Sequence, residues 1–175
     1  MRQLKTRSSI VFVIFATICN YATETEAAEQ WSYFGENGPS TWGGVCAVGQ
    51  AQSPVNLENP VYEKSLTAIH FSNYDEKLIK TELSNNGHTA KLSLKSNSAV
   101  VPEISGGGLN GTYHFAQLHF HWGKTSKSGS EHWMNSEPYP LEVHLVHYNK
   151  KYVILNICIN IVTYCIRNIN NRGYY

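Results

Sequence analysis

The chain is short of charge. Asp, Glu, Lys and Arg make up 15% of its 175 residues, and the formal balance is +1, against about a quarter charged residues in ordinary soluble domains. Such a balance offers no basic surface for nucleic acid or for an anionic membrane. The chain also lacks an apolar run long enough to cross a bilayer. It has no internal repeat and no stretch with a sustained helical period, which argues against solenoids, coiled coils and helix bundles. What it does have is apolar content of 42%, aromatic content of 12% and eleven Tyr. Its length suits one domain with one core, and the aromatic share suits an ordered, β-rich one.

The N-terminus is set apart. Arg2, Lys5 and Arg7 precede the apolar run IVFVIFATI, Ile10 to Ile18. A basic start and a short apolar segment read as a secretory leader. Cleavage after Ala27 fits the small Thr25 and Ala27, and an earlier site near Cys19 fits as well. The alternatives are a signal anchor or a buried strand. Residues 1–27 are therefore expected to leave, and the mature chain is expected to be secreted with no transmembrane span. Of the four Cys, Cys46, Cys158 and Cys165 would then remain. One disulfide and one free thiol is the simplest outcome in an oxidising compartment. Asn110-Gly111-Thr112 is an acceptor sequence for an N-linked glycan at Asn110.

From Trp31 to Gln52 the chain is rich in Gly, Trp and Ser and shows no period, so it reads as coil and turns. Ser53 to Leu57 is too short to form an element, with Pro54 inside it. Short runs follow, around Ile69, around Leu92 and over YHFAQLHFHW, with turns at Asn85-Asn86-Gly87 and Gly106-Gly107-Gly108. That spacing predicts a sheet-dominated fold. In the strand Tyr113–Trp122, strict alternation puts Tyr113, Phe115, Gln117, His119 and His121 on one face. His119 and His121 are then about 7 Å apart along the strand, a workable separation for two ligands of one ion. Gln117 lies behind them, placed to orient a ring. In the next strand, LEVHLVHYN, Glu142, His144 and Val146 share a face. His144 completes a set of three imidazoles, the pattern of a catalytic zinc with an open fourth position. Gln117 and Glu142 are candidate acceptors for the outer ring nitrogens. His70, His88, His114, His132 and His147 leave chance alternatives, since the chain has eight His.

The stretch from Trp31 to Asn149 resembles the N-terminal and central part of an alpha-class carbonic anhydrase. The motifs WSYFGENGPSTW, QSPVNL, NNGH, YHFAQLHFHWG, GSEHW and LEVHLVHYN occur in the family's order. The resemblance implies a mainly β (α+β) fold, part of a large, mostly antiparallel twisted sheet with a coil-rich N-terminal segment. It implies a Zn2+ enzyme that hydrates carbon dioxide to bicarbonate. It makes His119, His121 and His144 the zinc ligands, with Gln117 and Glu142 behind them. It gives His88 the role of proton shuttle and Tyr33 and Asn86 places in a water network. Glu131 becomes the carboxylate that orients a threonine hydroxyl beside the metal, and Val146 becomes part of the apolar wall for carbon dioxide.

The likeness stops at Asn149. The family continues with further core strands and a segment carrying that threonine, and secreted members often pair a cysteine at the position of Cys46 with one in that segment. The tail, residues 150–175, holds six Ile, five Asn and four Tyr and no Asp, Glu or Ala. Two expectations follow: a divergent tail on a truncated gene product, or a replacement strand beside LEVHLVHYN, since Val153, Leu155, Ile157, Ile159 and Ile161 alternate. The functional expectations divide in the same way, into an active carbonate dehydratase or a zinc-binding but impaired relative.

Overall fold

The computed structural model describes residues 14–16, 31–50, 52–78, 80–95, 97–153 and 159–166. Strands dominate, as the short alternating runs predicted. They are β1 (Ile14–Ala16), β2 (Asn56–Leu57), β3 (Ile69–Ser72), β4 (Thr81–Asn85), β5 (Ala90–Leu94), β6 (Glu103–Gly106), β7 (Tyr113–Trp122), β8 (Trp133–Met134), β9 (Leu141–Tyr148) and β10 (Ile159–Ile166). Among the described residues the α-helices are one turn each, α1 (Val45–Val48) and α2 (Lys150–Val153). Among the described residues no helix is long and apolar enough to cross a membrane.

One eight-stranded sheet runs in the order β1-β10-β9-β7-β5-β4, with β6 also beside β7 and β3 beside β6. All its pairings are antiparallel. β7 is the central strand: β9 lies along one side, while β6 and then β5 share the other. The short β2 and β8 form a separate parallel pair, so Asn56 and Leu57 do form an element despite the proline nearby. β4 and β5 join through Asn86–Thr89, where Gly87 takes φ +87°, a conformation open to glycine at no steric cost. Gly106 has φ +76°, and a Cβ there would lie 2.5 Å from the Ala68 carbonyl oxygen, so glycine also lets β3 approach β6.

The strict alternation expected along Tyr113–Trp122 is broken. Phe115 pairs with His147 and Gln117 with Val146, leaving Ala116 as an extra residue. This is a β-bulge. Paired residues share a face, so Gln117, His119 and His121 lie with Val146, His144 and Glu142. Tyr113 and Phe115 point the other way, which corrects the sequence reading. There Tyr113 and Ile104 are buried against Ile69, Phe71 and Leu145. The Phe115 ring meets His147 edge to face at 5.7 Å. His147 is wholly buried. Its Nδ1 donates to the Leu145 carbonyl at 3.0 Å and its Nε2 accepts from the Tyr74 hydroxyl at 2.5 Å.

The tail does place a strand beside β9. Ile161, Thr163 and Cys165 pair with Val146, His144 and Glu142. Of the alternation seen from Val153, Lys150–Val153 turns as α2, Leu155 and Ile157 lie outside the described residues, and Ile159 and Ile161 fall in β10. Cys46 carries a free, exposed thiol. Cys158 lies outside the described residues, and Cys165 is described in its backbone alone. Of the expected leader only Ile14–Ala16 is described, paired with β10.

Candidate metal centre

His119 and His144 are direct cross-strand partners, and His121 lies opposite Glu142. The register therefore gathers the three imidazoles. Their ring centroids lie 5.0 Å (His119–His121), 5.0 Å (His119–His144) and 4.5 Å (His121–His144) apart. One nitrogen from each falls within 4.8 Å of the others.

Hydrogen bonds decide which nitrogens those are. Gln117 Oε1 lies 2.9 Å from His119 Nδ1. An amide oxygen only accepts, so Nδ1 carries the proton and Nε2 is left for the site. Glu142 Oε1 takes a short hydrogen bond from His144 Nε2, which leaves His144 Nδ1. His121 Nε2 is buried and makes no hydrogen bond. A buried, orphaned ring nitrogen facing two others is what a metal ligand looks like without its ion. The residues fit a zinc ion: three imidazoles, two of them held from behind by oxygen acceptors. Burial is the main reason His119 and His121 resist protonation: it depresses His119 to about 4 and His121 to about 3, with the neighbouring His144 adding to both.

Glu142 anchors the group. Its side chain is fully buried. Oε2 accepts from the backbone N–H groups of Glu131 (2.9 Å) and His132 (2.8 Å). Oε1 accepts from His132 Nδ1 (2.7 Å) and from His144. Burial alone would raise the carboxyl, but these bonds, His132 and His144 foremost, outweigh it and hold it well below the usual carboxylate range. His132, read from sequence as a chance histidine, thus belongs to the centre. With Glu142 and His144 it forms a second cluster of ligand types. The His132–Glu142 spacing is that of a hydrogen bond, tighter than two ligands around one ion, so this cluster orients the first.

A sequence profile of the eukaryotic-type carbonic anhydrase family matches residues 37–160. The chain belongs to the eukaryotic-type carbonic anhydrases. It is 40% identical over 126 residues to carbonic anhydrase 7 of Mus musculus, covering 69% of this chain and 46% of that protein. Carbonic anhydrase 7 of Homo sapiens is 39% identical over 126 residues, covering 69% and 46%. Carbonic anhydrase 12 of Homo sapiens is 37% identical over 127 residues, covering 69% and 34%. The chain spans less than half the length of these curated relatives.

The other residues implied by the carbonic anhydrase likeness surround the imidazoles unevenly. Glu131 Oε2 lies 3.3 Å from His121 Nε2 and 3.7 Å from His144 Nε2. Burial raises its carboxyl above the usual range. The hydroxyl that reaches Glu131 is that of Tyr33, donating to Oε1 at 3.5 Å. Burial, and after it Glu131, push the Tyr33 phenol up to about 12, so it stays protonated. His88 is exposed and stacks on Trp31 at 3.9 Å and 14°. Asn86 holds the turn: its Oδ1 accepts from the backbone N–H groups of His88 (3.0 Å) and Thr89 (2.9 Å). That leaves only its amide N–H groups for water. Val146 is half-buried on the ligand face, opposite Gln117. Asn110 is exposed. A separate depression of about 540 Å³, lined in part by Glu76, Glu103, His114 and Lys150, does not include His119, His121 or His144. Within it His114 Nδ1 lies 2.9 Å from Glu103 Oε1.

Proposed function

We propose that the chain binds one zinc ion through His119 Nε2, His121 Nε2 and His144 Nδ1 and hydrates carbon dioxide to bicarbonate and a proton. The observation that carries the reading is the convergence of three ring nitrogens, two of them chosen by hydrogen bonds to Gln117 and Glu142 and the third left orphaned. When bound, zinc supplies a positive charge that brings the acidity of water near neutrality. The chain's own residues do the rest. Gln117 and Glu142 fix the ring orientations. Val146 offers an apolar surface on the ligand face for an uncharged substrate. Glu131, beside His121 and His144, accepts a hydrogen bond from a hydroxyl and so fixes the direction in which that hydroxyl points. His88, exposed on Trp31, takes up and releases a proton at a ring nitrogen in contact with solvent.

One observation favours a second reading, zinc binding with impaired turnover. The hydroxyl on Glu131 is a tyrosine at the limit of hydrogen-bond distance, which holds Glu131 only loosely. Purified protein assayed for zinc content and for stopped-flow carbon dioxide hydration separates the two. Stoichiometric zinc with hydration lost in His119→Ala supports the enzyme. Stoichiometric zinc without hydration supports the impaired relative. No zinc refutes both.

We place the protein in the secretory pathway on the strength of Arg2, Lys5 and Arg7 before the apolar run Ile10–Ile18. Asn110 then becomes a glycan acceptor. N-terminal sequencing of protein from the medium of expressing eukaryotic cells, with and without glycosidase, tests both; an intact Met1 in a cell-retained product refutes them.

A further inference from the structure

We infer that Thr89 is a positioning residue: its hydroxyl grips the main chain of Phe120, between the two ligand histidines of β7, and ties that strand to the turn carrying His88. The inference rests on the zinc reading above. The backbone ladder between β5 and β7 runs over Gln117, Leu118 and His119 and then stops. At Phe120 a side chain takes over. Phe120 N–H donates to Thr89 Oγ1 at 3.0 Å, and the same hydroxyl donates to the Phe120 carbonyl at 2.6 Å. A hydroxyl is suited to this because it donates and accepts at one atom. Thr89 is buried, so water is poorly placed to substitute, and without the hydroxyl both groups of Phe120 lose their partner.

The other end of Thr89 is equally fixed. Its N–H donates to Asn86 Oδ1 at 2.9 Å, and its carbonyl accepts from Asn86 N at 3.3 Å. His88 N–H shares the same Asn86 oxygen at 3.0 Å. A short, hydrogen-bonded path therefore runs from His88 through Thr89 to the peptide whose two ends carry His119 and His121. It fixes the spacing of two ligands and the place of the exposed histidine with one residue. Residues without a hydroxyl cannot make both bonds.

The test uses Thr89→Val, which keeps the shape and removes the hydroxyl, and Thr89→Ser, which keeps the hydroxyl. Zinc affinity is measured on the full chain by competition with a chelator, and amide hydrogen exchange at Phe120 is measured on the metal-free protein. Thr89→Val should bind zinc about tenfold or more weakly, as outer-shell losses do, and Phe120 should exchange at least tenfold faster, while Thr89→Ser stays near wild type in both. Valine within twofold of wild type in affinity and exchange overturns the inference, and so does serine failing as valine does. A wild-type chain that takes no zinc refutes the zinc reading instead, and unchanged Phe120 exchange in Thr89→Val then refutes the hydroxyl grip separately.

Discussion

Replacing Glu142 with glutamine removes a charge and almost no volume, so the consequence comes from hydrogen bonds alone. The carboxylate accepts four, two on each oxygen. Glutamine has one oxygen and one NH2 group. Whichever side the NH2 occupies, it meets two donors. If it faces the backbone, the buried N–H groups of Glu131 and His132 lose their acceptor. Each such loss costs about 1–3 kcal/mol, so the pair costs about 2–6 kcal/mol, a large part of a domain's usual 5–15 kcal/mol or so. If it faces the imidazoles, His132 and His144 escape the clash by moving a proton to the far nitrogen. For His144 that puts a hydrogen on Nδ1, the atom left for the metal. Stability is then partly restored while zinc affinity falls, by about 10–100-fold as for other outer-shell losses. Urea unfolding of the metal-free protein and zinc competition with a chelator, run on wild type and Glu142→Gln, read both effects. A variant with unchanged urea midpoint and unchanged affinity would refute the assignment of Glu142 as the group that selects the His144 tautomer.

Acid should destabilise the metal-free protein from near neutrality. His119 and His121 are held at about 4 and about 3 in the fold and return to about 6.5 when unfolded. Below about 6.5 the unfolded chain therefore binds protons that the folded one refuses, so stability falls with pH; equal urea midpoints at pH 7.5 and pH 5 would refute this. Gly123→Ala should fail to pack, because a Cβ there would lie 1.8 Å from the Ser128 carbonyl oxygen. Overpacking against main chain costs about 1–3 kcal/mol or more, and a thermal midpoint equal to wild type would rule out the close approach of Ser128 to Gly123. Asn86→Ala should lose about 1–2 kcal/mol with two turn hydrogen bonds and loosen His88 from Trp31. The check is the ring-current shift of the His88 protons, which should move toward the free-histidine value.

The gathering of the three imidazoles was legible because strand geometry is local. A period of two puts His119 and His121 on one face, and the same period in β9 puts Glu142, His144 and Val146 together. The split within β7 was not legible. The bulge at Ala116 arises from how β9 pairs with β7, and nothing in YHFAQLHFHW announces it. β4 and β6 passed unread because TELSN and EISG show no apolar alternation; they are strands through their neighbours. His132 stood in an aperiodic stretch, and only the turn that brings Ser130 against Tyr139 carries it to Glu142. Thr89 gave no signal at all, since a side chain that replaces a ladder rung has no sequence period. Asn86 and His88 were found through family motifs, while the geometry adds what Asn86 does with its oxygen.

If the leader is cut away as proposed, the pairing of β1 with β10 would tie the maturation of the chain to its assembly. β1 lies inside the apolar run expected to be cut away with the leader, and it is the outer neighbour of β10. Removal of residues 1–27 would leave β10 as an edge strand, with N–H and C=O groups turned toward whatever comes next. Such an edge is a template for another strand. Processing would therefore do more than set a destination: it would open a docking position at one end of the sheet, and the segment that fills it, from this chain or another, would determine whether the protein stays a monomer.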